Sequence, residues 1–316
     1  MQTNGSCPRP MKNDHDISGF GQRLAIHAAS VEQLLISLLD ERSRVGEVIR
    51  PPRLMAAIRH GALNGGKRLR PFLVTEAARL YDADPQAAMR VAAALECIHC
   101  YSLVHDDLPA MDDDDMRRGQ PTVHKAYDEA AAILAGDGLL TYAFDIIADD
   151  ATELSVKTRL DLVLALSRAS GIGGMVGGQA LDLMAETASP DEAEIITLQA
   201  MKTGALIRFA CEAGAIIGNA SADERERLAE FGSAIGLAFQ LADDLLDVTA
   251  DAATMGKATG KDAAAGKATL VSLHGVDWTK KQLAGLVAQA EDLLAPFGEK
   301  GQVLREAAHF IAWREN

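Results

Sequence analysis

The sequence predicts an all-α protein folded as a single domain, and three observations carry that reading. The ten prolines stand at Pro8, Pro10, Pro51, Pro52, Pro71, Pro85, Pro109, Pro121, Pro190 and Pro296, so residues 122–189 and 191–295 contain none. Both stretches are rich in the helix formers Ala, Leu, Glu and Met, and they lack β-branched or aromatic runs with the period of two that marks a half-buried strand. Aromatic residues make up only 4% of the chain, which argues against a β-sandwich.

In chain order the helices are expected at 18–43, 53–63, 70–82, 86–107, 122–133, 135–149, 154–169, 171–186, 191–218, 222–248, 277–295 and 301–314. Start and stop signals support several of these. Ser189-Pro190-Asp191-Glu192 reads as an N-cap followed by proline and acids in the first turn. Residues 1–16 read as a disordered leader and 17–316 as the one domain. Neither a repeat of 20–50 residues nor an internal linker calls for a second domain.

The 316 residues are 48% hydrophobic, enough for a sizeable core, and carry 31 basic against 45 acidic residues for a net charge of −14. Such a surface repels nucleic-acid backbones, so an anionic substrate needs a local basic pocket or metal ions. No uninterrupted apolar stretch has the roughly 18–20 residues of a membrane span, and the polar N-terminal segment lacks a signal-peptide core, so a soluble cytoplasmic protein is expected. Four cysteines make no disulfide framework; Cys97 and Cys100 lie in a helical pattern and read as buried thiols.

Two acidic clusters carry the chemistry. Residues 105–119 read HDDLPAMDDDDMRRG, with six Asp within 106–115, at the end of the apolar helix that runs from Val91 to Leu108. Most charge runs are solvated faces, but a second cluster, Asp243, Asp244 and Asp247, ends the apolar helix 222–248 in the same way. Asp243 and Asp247 are i,i+4 with Gln240 one turn earlier, and His99, Ser102 and Asp106 share a stripe on the first helix. Crowded carboxylates repel, and a hard cation such as Mg²⁺ relieves that repulsion. Two helices with such stripes can face one another across a cavity.

Basic residues complete the set. GGKRLRP at 65–71 places Lys67, Arg68 and Arg70 behind two glycines where a helix begins, a combination suited to a diphosphate, although the spacing is not that of a P-loop. Arg117 and Arg118 offer a second anion clamp. Lys202 lies in a mainly apolar helix, where snorkelling to the surface is the alternative role. Lys257, Lys261 and Lys267 punctuate a Gly/Ala-rich segment that reads as a lid. No Ser/His hydrolytic arrangement is present. The parts fit ionisation of an allylic diphosphate above an apolar cavity.

At these residues the chain resembles the trans-isoprenyl diphosphate synthases, most closely their bacterial farnesyl-making branch. The resemblance covers roughly 20–316 through GGKRLRP, YSLVHDDLPAMDDDDMRRG, GGQALDL (177–183), KTGALIR (202–208), GLAFQLADDLLDV (236–248) and GKATL (266–270). It implies an antiparallel helical bundle around a deep central cavity, assembled as a homodimer. It implies Lys67, Arg70, His99 and Arg118 as holders of isopentenyl diphosphate, and Arg117, Lys202, Lys257 and Lys267 as holders of the allylic diphosphate. Asp106, Asp112 and Asp243 would bind Mg²⁺, with Asp107 and Asp247 in support; three ions per substrate-bound site are implied, with Mn²⁺ able to substitute. Thr203 and Gln240 would face the developing cation.

The implied reaction joins isopentenyl diphosphate head-to-tail to dimethylallyl and then geranyl diphosphate. Tyr101, five positions before Asp106, resembles the aromatic stopper of the farnesyl-making type, with a geranylgeranyl product as the alternative. Helix geometry alone leaves this open, since five residues place Tyr101 about 140° from Asp106, whereas Ser102 lies nearer the same face. A terpene cyclase shares the first Asp motif but has a different second one, and a non-catalytic synthase subunit lacks one of the two clusters.

Overall fold

The computed structural model describes residues 14–185, 187–188, 190–254 and 269–314. The described residues are almost wholly helical. The elements are α1 (Asp14–Leu38), α2 (Pro52–Ala62), α3 (Leu69–Arg79) and α4 (Pro85–Asp106), then a two-stranded hairpin of β1 (Met116–Arg117) and β2 (Gln120–Pro121). There follow α5 (Val123–Ala126), α6 (Glu129–Ala148), α7 (Val156–Ser170), α8 (Met175–Ala185) and α9 (Glu192–Gln199). A π-turn (Ala200–Gly204) leads into α10 (Ala205–Ile217), and α11 (Ala222–Thr254) is the longest helix. The chain ends with α12 (Leu270–His274), α13 (Val276–Leu294), a 3₁₀ segment (Ala295–Gly301) and α14 (Gln302–Trp313).

α4 sits at the centre, packed by α3 and α6 and touched by α2 and α10; α10 lies between α3 and α11, and α11 carries α13 and α14 on its far side. Every residue from Val91 to Ile98 is buried, Glu96 included; the other seven are apolar, and so apolar a segment is stable only inside other helices. Its start is fixed locally: Pro85 occupies the first turn and the Asp84 carboxylate accepts from the Ala87 N–H. Cys97, Cys100 and Cys211 are free and buried, as expected for the first two.

Several boundaries differ from those the sequence suggests, each for a local reason. α1 begins at Asp14, inside the segment read as a leader, and ends at Leu38 rather than residue 43. The expected helices 122–133 and 135–149 are instead the single turn α5 and the long α6, which starts where Asp128 caps the Ala131 N–H. α9 is capped by Asp191, whose carboxylate and that of Glu194 form a reciprocal capping box, two residues beyond the expected Ser189. The expected helix 191–218 is interrupted by the π-turn, and the hairpin and α12 were not anticipated.

By length and composition, three helices could cross a membrane, contrary to the expectation from uninterrupted apolar runs: Pro85–Asp106, Glu129–Ala148 and the stretch Val156–Ala185. The first has 72% of its apolar window buried within the bundle, and the last is broken into α7 and α8 at Gly171–Gly174.

Candidate active site

The turn from α2 to α3 is built from left-handed backbone. Gly65 and Gly66 have φ of 80° and 117°, and Arg68, which caps α3, has φ 49°. Glycine reaches such angles without strain, so the pair lets the chain double back and bring Lys67 and Arg70 to the rim and wall of a cavity of about 600 Å³. His99 from α4, Arg118 from the hairpin, and Phe239, Asp243, Phe310 and Arg314 also line it. Lys67, Arg70, His99 and Arg118, separated by up to 51 positions, thus share one cavity.

The field there is strongly positive. Burial, then the nearby Arg70 and Arg118 guanidinium groups, hold His99 well below the usual histidine range, so its imidazole is neutral at physiological pH. Burial also lowers Arg70, opposed by the Glu96 and Asp243 carboxylates, and Arg118 is lowered likewise. Arg118 donates to Asn64 Oδ1 at 3.0 Å and to the Gly65 carbonyl, and the Lys67 ammonium lies 5.8 Å from the Phe310 ring centroid. Cations crowded and partly dehydrated in this way favour a polyanion.

The acidic region adjoins it at the C-terminal end of α4. Burial, followed by repulsion from Asp112 and Asp107, pushes the Asp106 carboxyl up to about 6 against the pull of Lys202 and Arg117. Asp112 folds back so that its N–H donates to the Asp106 carbonyl at 2.8 Å. Asp107 is buried and ion-paired to Arg117 at 2.6 Å, so two groups expected to act separately are joined here. Burial would lower Lys202, but its 2.5 Å ion pair with Asp182, and the charges of Asp106 and Asp112, hold it above its ordinary value.

Lys202 and Thr203 lie in the π-turn, and the glycines of GGQALDL explain its position. A Cβ on Gly178 would fall 2.1 Å from the Lys202 backbone nitrogen, so α8 and the turn touch main chain to main chain. π-turns inside helices recur at functional sites because they rotate one stretch of side chains out of register. Across the site, α11 presents Gln240, half-buried, then Asp243, which is ion-paired with Arg314, and Asp247, which is exposed. Tyr101 is buried, its ring 5.8 Å from that of His105, and its hydroxyl lacks a hydrogen-bond partner. The Ser102 hydroxyl donates to the His99 carbonyl at 2.9 Å. Lys257, Lys261 and Lys267 lie outside the described residues.

The sequence profile of the polyprenyl synthetase family matches residues 51–295. The chain belongs to that family. It is 46% identical over 270 residues to a farnesyl diphosphate synthase of Escherichia coli strain K12, covering 83% of this chain and 89% of that one. It is 41% identical over 271 residues to a chloroplastic geranylgeranyl pyrophosphate synthase of Arabidopsis thaliana, covering 84% of this chain and 75% of the other. The crystal structure of an FPP/GFPP synthase from Zymomonas mobilis, 43% identical, matches with a TM-score of 0.83 over 94% of this chain and all of that one. The expected all-α isoprenyl synthase fold is therefore present, and the protein is a prenyltransferase.

Several residues of the candidate site escaped the sequence reading. Asp182 holds Lys202, and its place in GGQALDL was the available signal. Arg314 reaches Asp243 from 71 positions away, with no motif to announce it. Among the described residues, the group close enough to share one cation is Asp113, Asp115 and His124, whose ligand atoms lie within 4.8 Å of one another. Asp106, Asp112 and Asp243 are not so grouped.

The raised Asp106 value has a direct consequence for stability. The folded state binds this proton more tightly than the unfolded chain, where the carboxyl titrates near 3.8. Through this group, stability of metal-free protein falls as pH rises from about 4 to about 6, and remains reduced above that window. Melting temperatures in chelator should show this decline relative to Asp106→Asn, whose curve lacks it. Parallel curves would mean that the carboxylate carries no such burden.

Proposed function

We propose that this prenyltransferase makes farnesyl diphosphate, adding isopentenyl diphosphate first to dimethylallyl and then to geranyl diphosphate. The observation that carries the reading is the meeting of two unlike regions: a cavity crowded with Lys67, Arg70, His99 and Arg118, beside an acidic cluster in which burial, and then the neighbouring carboxylates, raise Asp106. The first suits a diphosphate held by side chains alone. The second suits one held through Mg²⁺, whose chemistry when bound is to stabilise charge on the departing diphosphate. Asp106, Asp112 and Asp243, supported by Asp107 and Asp247, would hold those ions; Arg117, Lys202, Lys257 and Lys267 would complete the allylic side.

In this reading the allylic C1–O bond breaks and its electron pair leaves with the diphosphate. The isopentenyl double bond supplies the electrons of the new C–C bond, and a proton is then lost to the released diphosphate. The Thr203 hydroxyl and Gln240 amide face the cation, and the apolar helices exclude water that would capture it. Incubation with labelled isopentenyl diphosphate and each allylic starter, followed by dephosphorylation and chromatography, tests the proposal. A fifteen-carbon alcohol is expected, and a predominantly twenty-carbon one would favour the geranylgeranyl reading.

Product length is assigned to Tyr101. Its ring is buried beside that of His105 and its hydroxyl has no hydrogen-bond partner; the assignment itself rests on its position, five residues before Asp106, which resembles that of the aromatic stopper. Tyr101→Ala should shift product toward twenty carbons with the fold retained, while Ser102→Phe should favour ten. An active Tyr101→Ala enzyme with the wild-type product would make Tyr101 a packing residue.

We also propose a soluble, cytoplasmic homodimer joined through α6 and α7. Ile133, Leu134, Leu160 and Leu164 are exposed there, 45–65% accessible, an apolar face that a second copy would cover. Light scattering at micromolar concentration should give twice the chain mass.

A further inference from the structure

Of the loop cations, Arg68 is held differently from its neighbours. Its side chain is fully buried. One terminal nitrogen donates to Glu96 Oε1 at 2.5 Å and lies 3.6 Å from Cys100 Sγ; the other donates to Glu32 Oε2 at 2.8 Å and to the Ala62 carbonyl at 2.7 Å. Four of its five N–H groups therefore have protein acceptors, drawn from α1, the end of α2 and α4. Its φ of 49° is a conformation that residues other than glycine seldom adopt, and the buried fork holds it there. That fork binds the α4 turn that carries His99, since Glu96 and Cys100 flank it at i−3 and i+1.

We propose that Arg68 and Glu96 are positioning residues, a buried strut that fixes Lys67 and Arg70 relative to His99 and so sets affinity for the diphosphate group in this cavity without binding it. The inference rests on the reading that the cavity takes isopentenyl diphosphate. Glu96 is 1% exposed and lines the cavity, with Oε2 unpaired, and it is the leading favourable charge on Arg70. It thus ties down one cation and balances another. A guanidinium is required because a single ammonium cannot reach acceptors on three elements in one plane.

The test is steady-state kinetics with each substrate varied in turn, alongside thermal melts. Arg68→Met should raise KM for isopentenyl diphosphate about tenfold or more, leaving the allylic KM within about twofold and kcat within about threefold. Arg68→Lys should recover only part of the loss. Arg68→Met/Glu96→Gln removes the unpaired buried acid, so it should regain melting temperature yet keep the raised KM; it preserves the test if the single variant fails to fold. A wild-type isopentenyl KM in the double variant would overturn the strut. So would a wild-type KM in Arg68→Lys, which would mark Arg68 as a point-charge ligand. Lys67→Ala is the control for the underlying reading: equal losses for both substrates would overturn the assignment of the cavity itself, whereas a selective loss with an unaffected double variant would sink the strut alone.

Discussion

Asp106→Asn and Asp243→Asn should each lower kcat/KM on the order of 10³-fold, whereas Asp292→Asn, exposed on α13, should leave it near wild type. The size follows from what each carboxylate is proposed to do. Asp106 carries a charge that burial and Asp112 oppose, so it is held ready for a cation stronger than Lys202 alone. An amide cannot supply that charge, and the barrier to ionisation rises by about 4 kcal/mol for a thousandfold loss. Asp243 needs one further control, because its substitution also breaks the ion pair with Arg314. Arg314→Ala removes the pair while keeping the carboxylate, so a milder loss there would assign the larger effect to the carboxylate itself. The measurement is initial rate against Mg²⁺ at substrate concentrations below KM, where the rate reports kcat/KM. Turnover of Asp243→Asn near wild type at limiting Mg²⁺ would refute the two-cluster reading.

The helical fold was legible in the sequence because its causes are local. Seven of the eight residues in Val91–Ile98 are apolar, and such a helix has no stable place except the middle of a bundle. The basic and acidic motifs were legible because both acidic clusters end apolar helices, where a merely solvated charge run is not expected. What could not be read depends on distant contacts. Nothing in residues 191–218 marks the π-turn, whose position comes from the approach of Gly178 on another helix. The inward course of Arg68 turns on the sign of one φ angle at a residue that is not glycine, and GGKRLRP is silent on that. The Asp243–Arg314 pair joins α11 to the chain's last described residue. The hairpin has only two residues per strand, too short for any periodic signal.

Gly178→Ala should be among the most damaging single-methyl changes outside the charged residues. The added Cβ would lie 2.1 Å from the Lys202 nitrogen, 2.5 Å from its Cα and 2.7 Å from the Met201 carbonyl carbon. All three are backbone atoms, so no rotamer change relieves the overlap, and either α8 or the π-turn must move. Overpacking of this kind costs roughly 1–3 kcal/mol or more, and a melting temperature lower by several degrees is expected. The catalytic effect should be larger, because the displaced segment carries Lys202 and Thr203 and fixes the 2.5 Å contact with Asp182. A shift of about 1 Å at a positioning group can cost about 10²-fold, so kcat/KM for the allylic substrate should fall by that order. Gly285→Ala, in α13 with nothing within 4 Å of the added methyl, is the matched control and should be neutral or slightly stabilising. If Gly178→Ala lost stability but kept allylic kcat/KM, the glycine would serve packing alone, and the placement of Lys202 by the α8 contact would be wrong.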